Sequence, residues 1–109
     1  EQFYLLSVDV GRIHDQTVCC VFRVNVVKNK YYCTLVNLYV LDVISHKTFL
    51  QQAIELKKII RAFNPKEVVI DTNGLGVGLA DEMIRVHADE NGEILPAYGF
   101  TNDDVYKKV

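Results

Sequence analysis

The sequence predicts an α/β domain on a mixed five-stranded sheet, with three antiparallel strands first and then parallel strands reached through crossover helices. Three observations point there. The chain opens with three apolar runs rich in β-branched and aromatic residues, separated by short polar breaks. From Ser45 onward the apolar period lengthens from two to between three and four. After that, strand-like and helix-like segments alternate, and strands joined through helices need crossover connections and parallel neighbours.

Each element has a local reason. Phe3 to Val10 (FYLLSVDV) is apolar with one acid, Asp9, near its end, and reads as a buried strand. Gly11 to Gln16 breaks it with a glycine and polar residues, and Thr17 to Lys28 returns to valine-rich strand formers. A tight turn near Lys28 to Lys30 joins this run to Tyr31–Ile44 as a hairpin. Ser45 is the expected N-cap of a helix whose apolar stripe is Phe49, Ala53, Leu56, Ile60 and Phe63. Asn64-Pro65 ends it, because proline donates no amide hydrogen and disfavours helical geometry in the residue before it. Glu67 to Asp71 (EVVID) has the short, β-branched character of a buried parallel strand. A second helix is expected from Leu75 to about His87, with Leu75, Leu79, Met83 and Val86 facing inward and His46 and His87 at helix ends. Asp89 to Gly92 is a polar turn, and Ile94 to Phe100 is the expected fifth strand, with Pro96 at an edge or a strand start.

Composition bounds the rest. With 109 residues, 50% of them hydrophobic, and a net charge of −2, the chain is one domain able to bury one core. No apolar stretch approaches the roughly 20 residues of a membrane span, so no membrane partner is expected. Cys19, Cys20 and Cys33 are odd in number, lie in apolar alternating segments and lack zinc-site spacing, and so read as buried reduced thiols. The charge balance gives no bulk attraction to nucleic acid but leaves room for a local basic patch. The start at Glu1 without an initiator methionine, and the end at Val109 without a cap or turn signal, give the expectation of a single domain over 1–109 that is incomplete at its C-terminal end.

The chemistry concentrates on two acids at strand ends. Asp9 lies in LLSVDVG and Asp71 in VVIDTNG, each after residues expected to be buried and before a glycine-containing turn. A carboxylate there is costly to desolvate unless it is hydrogen-bonded, paired or bound to a cation. Either Asp alone is explained equally well as a cap accepting backbone amides of the loop after its strand. Together they say more, because the first and fourth strands of this topology are neighbours and bring both acids to one patch. Two adjacent carboxylates repel unless a divalent cation lies between them, and hard oxygen ligands suit Mg²⁺ or Mn²⁺. Such an ion can activate water for phosphodiester hydrolysis.

The Asp9-Val10-Gly11 step, the Asp15-Gln16-Thr17 entry to the second strand and above all VVIDTNGLGVGLADEM resemble the nuclease domain of phage terminase large subunits, within the ribonuclease H-like fold. The resemblance covers nearly the whole chain. Its most specific part is the run Asp71-Thr72-Asn73-Gly74-Leu75-Gly76-Val77-Gly78. It implies a metal-dependent endonuclease that cuts concatemeric double-stranded DNA with two Mg²⁺ or Mn²⁺ ions, held by acids matching Asp9 and Asp71. The family's third acid sits on a helix after the fifth strand, and here it is expected beyond Val109 rather than at Asp103 or Asp104. The implied partners are DNA, an N-terminal ATPase domain, a small terminase subunit and the portal, in the cytoplasm of an infected bacterial host. No Gly-Lys-Ser or Gly-Lys-Thr step marks an ATPase motor within these residues.

Secondary candidates surround these acids, each with an ordinary structural alternative. Asp15 is a further candidate metal ligand or a solvated turn acid. Arg12 and His14 are candidate DNA contacts in the loop beside Asp9, and Lys28 and Lys30, next to Tyr31 and Tyr32, are candidates on the hairpin turn. Gly74, Gly76 and Gly78 would admit a phosphate at a helix start or close packing of that helix. Competing readings are another ribonuclease H-like nuclease such as a resolvase, an actin-like or sugar-kinase-like nucleotide-binding domain, and a non-catalytic interaction domain. The loop Arg12-Ile13-His14-Asp15 lacks the small hydroxyl residues with which the nucleotide-binding proteins cradle phosphate.

Overall fold

In a computed structural model of the chain, the described residues are 1–11, 16–41, 48–71, 76–99 and the backbone of 106–108. The strands β1 (Gln2–Asp9), β2 (Val18–Val27) and β3 (Lys30–Val40) form the antiparallel meander read from the sequence. The β2–β3 turn takes two residues, Lys28 and Asn29, at φ 50° and 63°. Two successive left-handed residues match the right-handed twist of the flanking strands, which fixes the hairpin's register. Val27 accordingly pairs with Lys30, and one irregularity, between Val21 and Phe22, interrupts the ladder.

Helix α1 (Phe49–Phe63) follows, then β4 (Glu67–Ile70), which returns parallel to β1 with Leu5 opposite Glu67 and Val8 opposite Ile70. The α1 stripe is as expected: Ala53, Leu56 and Ile60 are buried and Phe63 sets its ring edge-on to Tyr4, centroids 5.3 Å apart. Its start differs. The N-cap is Thr48, whose hydroxyl accepts from the Gln51 amide while the Gln51 side chain accepts from the Thr48 amide. The expected cap, Ser45, and residues 42–44 of the expected third strand lie outside the described residues, as does His46. The end is Asn64, in the left-handed conformation before Pro65.

The second half departs from the sequence reading. Helix α2 (Gly76–Met83) stops four residues before His87, because the Met83 carbonyl accepts the Tyr98 amide and Arg85 turns back to Glu82. Leu79 and Met83 face inward as expected, but Val86 is 63% exposed. His87 is not a helix end; it belongs to β5 (His87–Ala88), which pairs antiparallel with β6 (Ile94–Leu95) in a separate small sheet. The expected fifth strand over 94–100 is therefore only two residues long and lies off the main sheet. The place beside β4 is taken in parallel by the backbone of β7 (Tyr106–Lys108), giving the order β3-β2-β1-β4-β7.

Leu6, Val8, Cys19, Val21, Val68 and Ile70 point from one sheet face into a core closed by Ala53, Leu56 and Ile60 of α1 and Leu79 and Met83 of α2. Strand alternation sends Leu5, Phe22 and Leu35 to the other face as one cross-strand row, which no described helix covers. All three cysteines are free. Cys19 is buried, with its thiol pushed up to about 12 by burial, helped by Cys20. Cys33 is exposed, not buried as its pattern suggested, because β3 has no strand beyond it among the described residues. No described helix is long and apolar enough to cross a membrane.

Candidate active site at the ends of the first and fourth strands

Register brings the two acids together. Val8 is the parallel partner of Ile70, and the Asp71 amide donates to the Val8 carbonyl at 3.3 Å. Asp9 and Asp71 therefore end adjacent strands side by side, about 4.8 Å apart in the hydrogen-bonding direction. Val8 and Ile70 are buried on the helix-covered face. Alternation turns Asp9, and Asp71 after Ile70, toward the opposite face. Both acids are exposed. Solvent thus reaches both carboxylates, which do not carry the desolvation cost expected from their apolar neighbours, and strand pairing accounts for their proximity.

The backbone around Asp9 is fixed on its other side as well. Asp9 pairs with Val18 across β1–β2. Two residues on, the Gly11 amide donates to the Thr17 hydroxyl at 3.2 Å, and the Thr17 carbonyl accepts the Leu41 amide at 2.8 Å. Thr17 is fully buried. The chain leaving β1 after Asp9 is thus tied back to the chain entering β2, which is tied in turn to the end of β3.

The secondary candidates divide. Arg12, His14 and Asp15 lie outside the described residues, as do Gly74, Asp103 and Asp104. Lys28 and Lys30 are exposed, but their turn is at the opposite end of the sheet from Asp9. Gly78 is a packing residue: a Cβ there would collide with the Phe49 ring, so the approach it permits is of α2 to α1. Among the described residues no group of three or more His, Cys, Asp or Glu is gathered closely enough to hold a metal ion.

Sequence reasoning overlooked a second polar cluster, away from the two acids. The Lys57 ammonium, fully buried, donates to the Arg85 carbonyl and lies 2.7 Å from Nδ1 of His87, whose Nε2 is 3.2 Å from Glu82. Burial pulls Lys57 down from its ordinary 10.5 to about 8, against the opposing pull of Glu82. Lys57 stands at i+4 from Ala53 and next to Leu56, so the helical period already put it on the apolar face. Nearby, Arg61 pairs with Asp89 at 2.8 Å and with Glu93 at 3.2 Å.

The family model for the terminase RNaseH-like domain matches residues 6–102. The chain belongs to this family. The matched span begins inside β1 and runs past β6, so a terminase RNaseH-like domain is what holds both Asp9 and Asp71. No curated protein and no solved structure matches the chain.

Proposed function

We propose that this terminase RNaseH-like domain is a metal-dependent endonuclease that hydrolyses phosphodiester bonds of concatemeric double-stranded DNA during genome packaging. The observation that carries the reading is the parallel register of β1 and β4, which sets two exposed carboxylates side by side at one end of the sheet. Their donor chemistry fits Mg²⁺ or Mn²⁺: both supply hard oxygens, both are open to solvent, and a cation offsets their mutual repulsion. The described residues supply two such acids, and Asp15 is a further candidate for the set. When bound, the metal supplies an activated water and charge stabilisation at the leaving oxygen.

The chain's own contribution is placement. Asp9 is paired with Val18 across the β1–β2 ladder, and the Asp71 amide donates a hydrogen bond to the Val8 carbonyl, so strand pairing fixes the backbone at both acids. Rigid strand ends keep ligands in productive geometry better than mobile segments do. The sheet face on which both acids open, which no described helix covers, leaves an approach for a duplex. In this reading Arg12, His14, Lys28 and Lys30 contact DNA phosphates, and the domain works in the host cytoplasm beside an ATPase domain, a small terminase subunit and the portal.

Mn²⁺ titration followed by nuclear magnetic resonance tests the site. Paramagnetic broadening should appear first at the amides of Asp9 and Asp71. Asp71→Asn should weaken it by more than the roughly 10- to 100-fold that loss of a group supporting a metal ligand costs. Mn²⁺ that leaves both positions sharp defeats the reading, and a shift at Gly11 on addition of ATP instead would favour a nucleotide-binding domain. In the large subunit, Asp71→Asn should abolish cleavage of linear duplex DNA.

A further inference from the structure

We infer that the buried hydroxyl of Thr17 is a positioning group for Asp9, holding the strand exit at Gly11 so that the Asp9 carboxylate is preorganised for a divalent cation beside Asp71. The inference rests on the proposed metal site and adds a residue to it that never touches the ion. Asp9 is the last residue of β1, and beyond it the ladder with β2 ends at the Asp9–Val18 pair. A terminal ladder pair frays easily unless something beyond it is held. The Thr17 hydroxyl supplies that hold by accepting the Gly11 amide at 3.2 Å.

Thr17 is well placed for this task because it is itself immobilised. It is fully buried, its carbonyl accepts the amide of Leu41, and Leu41 belongs to the main core. Threonine's branched side chain also has few χ1 options, so a buried one keeps its hydroxyl at a fixed point. The force path is therefore core, Leu41, Thr17, Gly11, Asp9. Val10, between Asp9 and Gly11, is half-buried and packs on the core, so the segment is gripped on both sides. Loss of the hydroxyl leaves the partly buried Gly11 amide without this acceptor, and the segment carrying Asp9 gains freedom.

The test compares Thr17→Val, which keeps the shape and removes the hydroxyl, with Thr17→Ser, which keeps the hydroxyl. Thr17→Ala repeats the first comparison with a smaller side chain should valine prevent folding. In metal-free protein, Thr17→Val should shift the amide and carboxyl resonances of Asp9 together with the Gly11 amide, while Thr17→Ser leaves them near wild type. Mn²⁺ affinity at Asp9 and Asp71 should fall roughly tenfold in Thr17→Val, in line with loss of a supporting partner, and recover in Thr17→Ser. A purely structural role predicts lower stability with Asp9 resonances and Mn²⁺ affinity unmoved, and that result overturns the inference. Asp9 resonances that move in Thr17→Val, together with Mn²⁺ that broadens neither acid in the wild type, would sink the proposed metal site alone.

Discussion

Lys57 is the residue whose burial has the clearest measurable consequence. An ammonium has only donors, so Nδ1 of His87 must accept from it, which leaves the proton on Nε2 to face Glu82. Burial lowers the folded-state value of Lys57 from 10.5 to about 8. Between those values the unfolded chain holds a proton that the folded one has released, so stability rises with pH across this window and the cost is constant below it. Cys19 acts in the opposite sense, because its thiol is raised from 9.0 to about 12 and the unfolded chain ionises first. The informative quantity is therefore the difference between wild type and Lys57→Met in urea unfolding. Wild type should gain stability relative to the variant from about pH 8 to pH 10.5, and parallel pH profiles would show that Lys57 stays charged in the fold. The sequence contained the signal, a lysine at core spacing, but its partners His87 and Glu82 lie about 25 to 30 residues away and no local pattern connects them to it.

At the scale of elements, strong periodicity was legible and short or tertiary-determined structure was not. The strands β1 to β4 and helix α1 follow from alternation and from a stripe of five apolar residues, both long enough to dominate local competition. Ser45 and Thr48 are both good caps, and α1 starts at Thr48 because it alone has a Gln three residues on to complete a capping box. Thr48→Ala should cost about 1 kcal/mol in chemical unfolding while Ser45→Ala costs little. The hairpin β5–β6 was invisible because two-residue strands have no period; what holds it is Asp89, buried in the turn, accepting the Asn91 and Glu93 amides and the Arg61 guanidinium. Arg61 beside it, and those amides, hold the Asp89 carboxyl below its ordinary range. Its contribution is present above the ordinary carboxylate range and lost as pH falls through the lowered value, so the Asn91 and Glu93 amides should lose protection, taken relative to intrinsic exchange at each pH, in strong acid. Gly78→Ala tests the α1–α2 contact: the Phe49 ring must move, at a cost of roughly 1–3 kcal/mol.

For the whole molecule, the sequence disclosed which acids converge but not how far the basic turn lies from them. Topology was enough for the first, since a first and fourth strand that pair in parallel bring Asp9 and Asp71 to one end whatever the side chains do. The second needs the direction of β2. It starts opposite Asp9 at Val18 and runs nine residues to Val27 before the turn at Lys28, a span of roughly 30 Å at about 3.3 Å per residue. That is most of the 44 Å length of the molecule. A duplex rising about 3.4 Å per base pair must then be about nine base pairs long to meet the acids and the turn together. Duplexes of about 6 and about 20 base pairs separate the two contacts. Replacing Lys28 and Lys30 together by Glu should weaken binding of the longer duplex and flatten its salt dependence by about two phosphate contacts. The shorter duplex, if held near Asp9, should bind the variant as it binds wild type, and Mn²⁺ broadening at Asp9 and Asp71 should be unchanged. Fluorescence anisotropy across a salt series decides it: equal losses for both lengths would mean that the acids and the turn do not share one duplex, and no loss for the longer one would remove the turn from the proposed DNA interface.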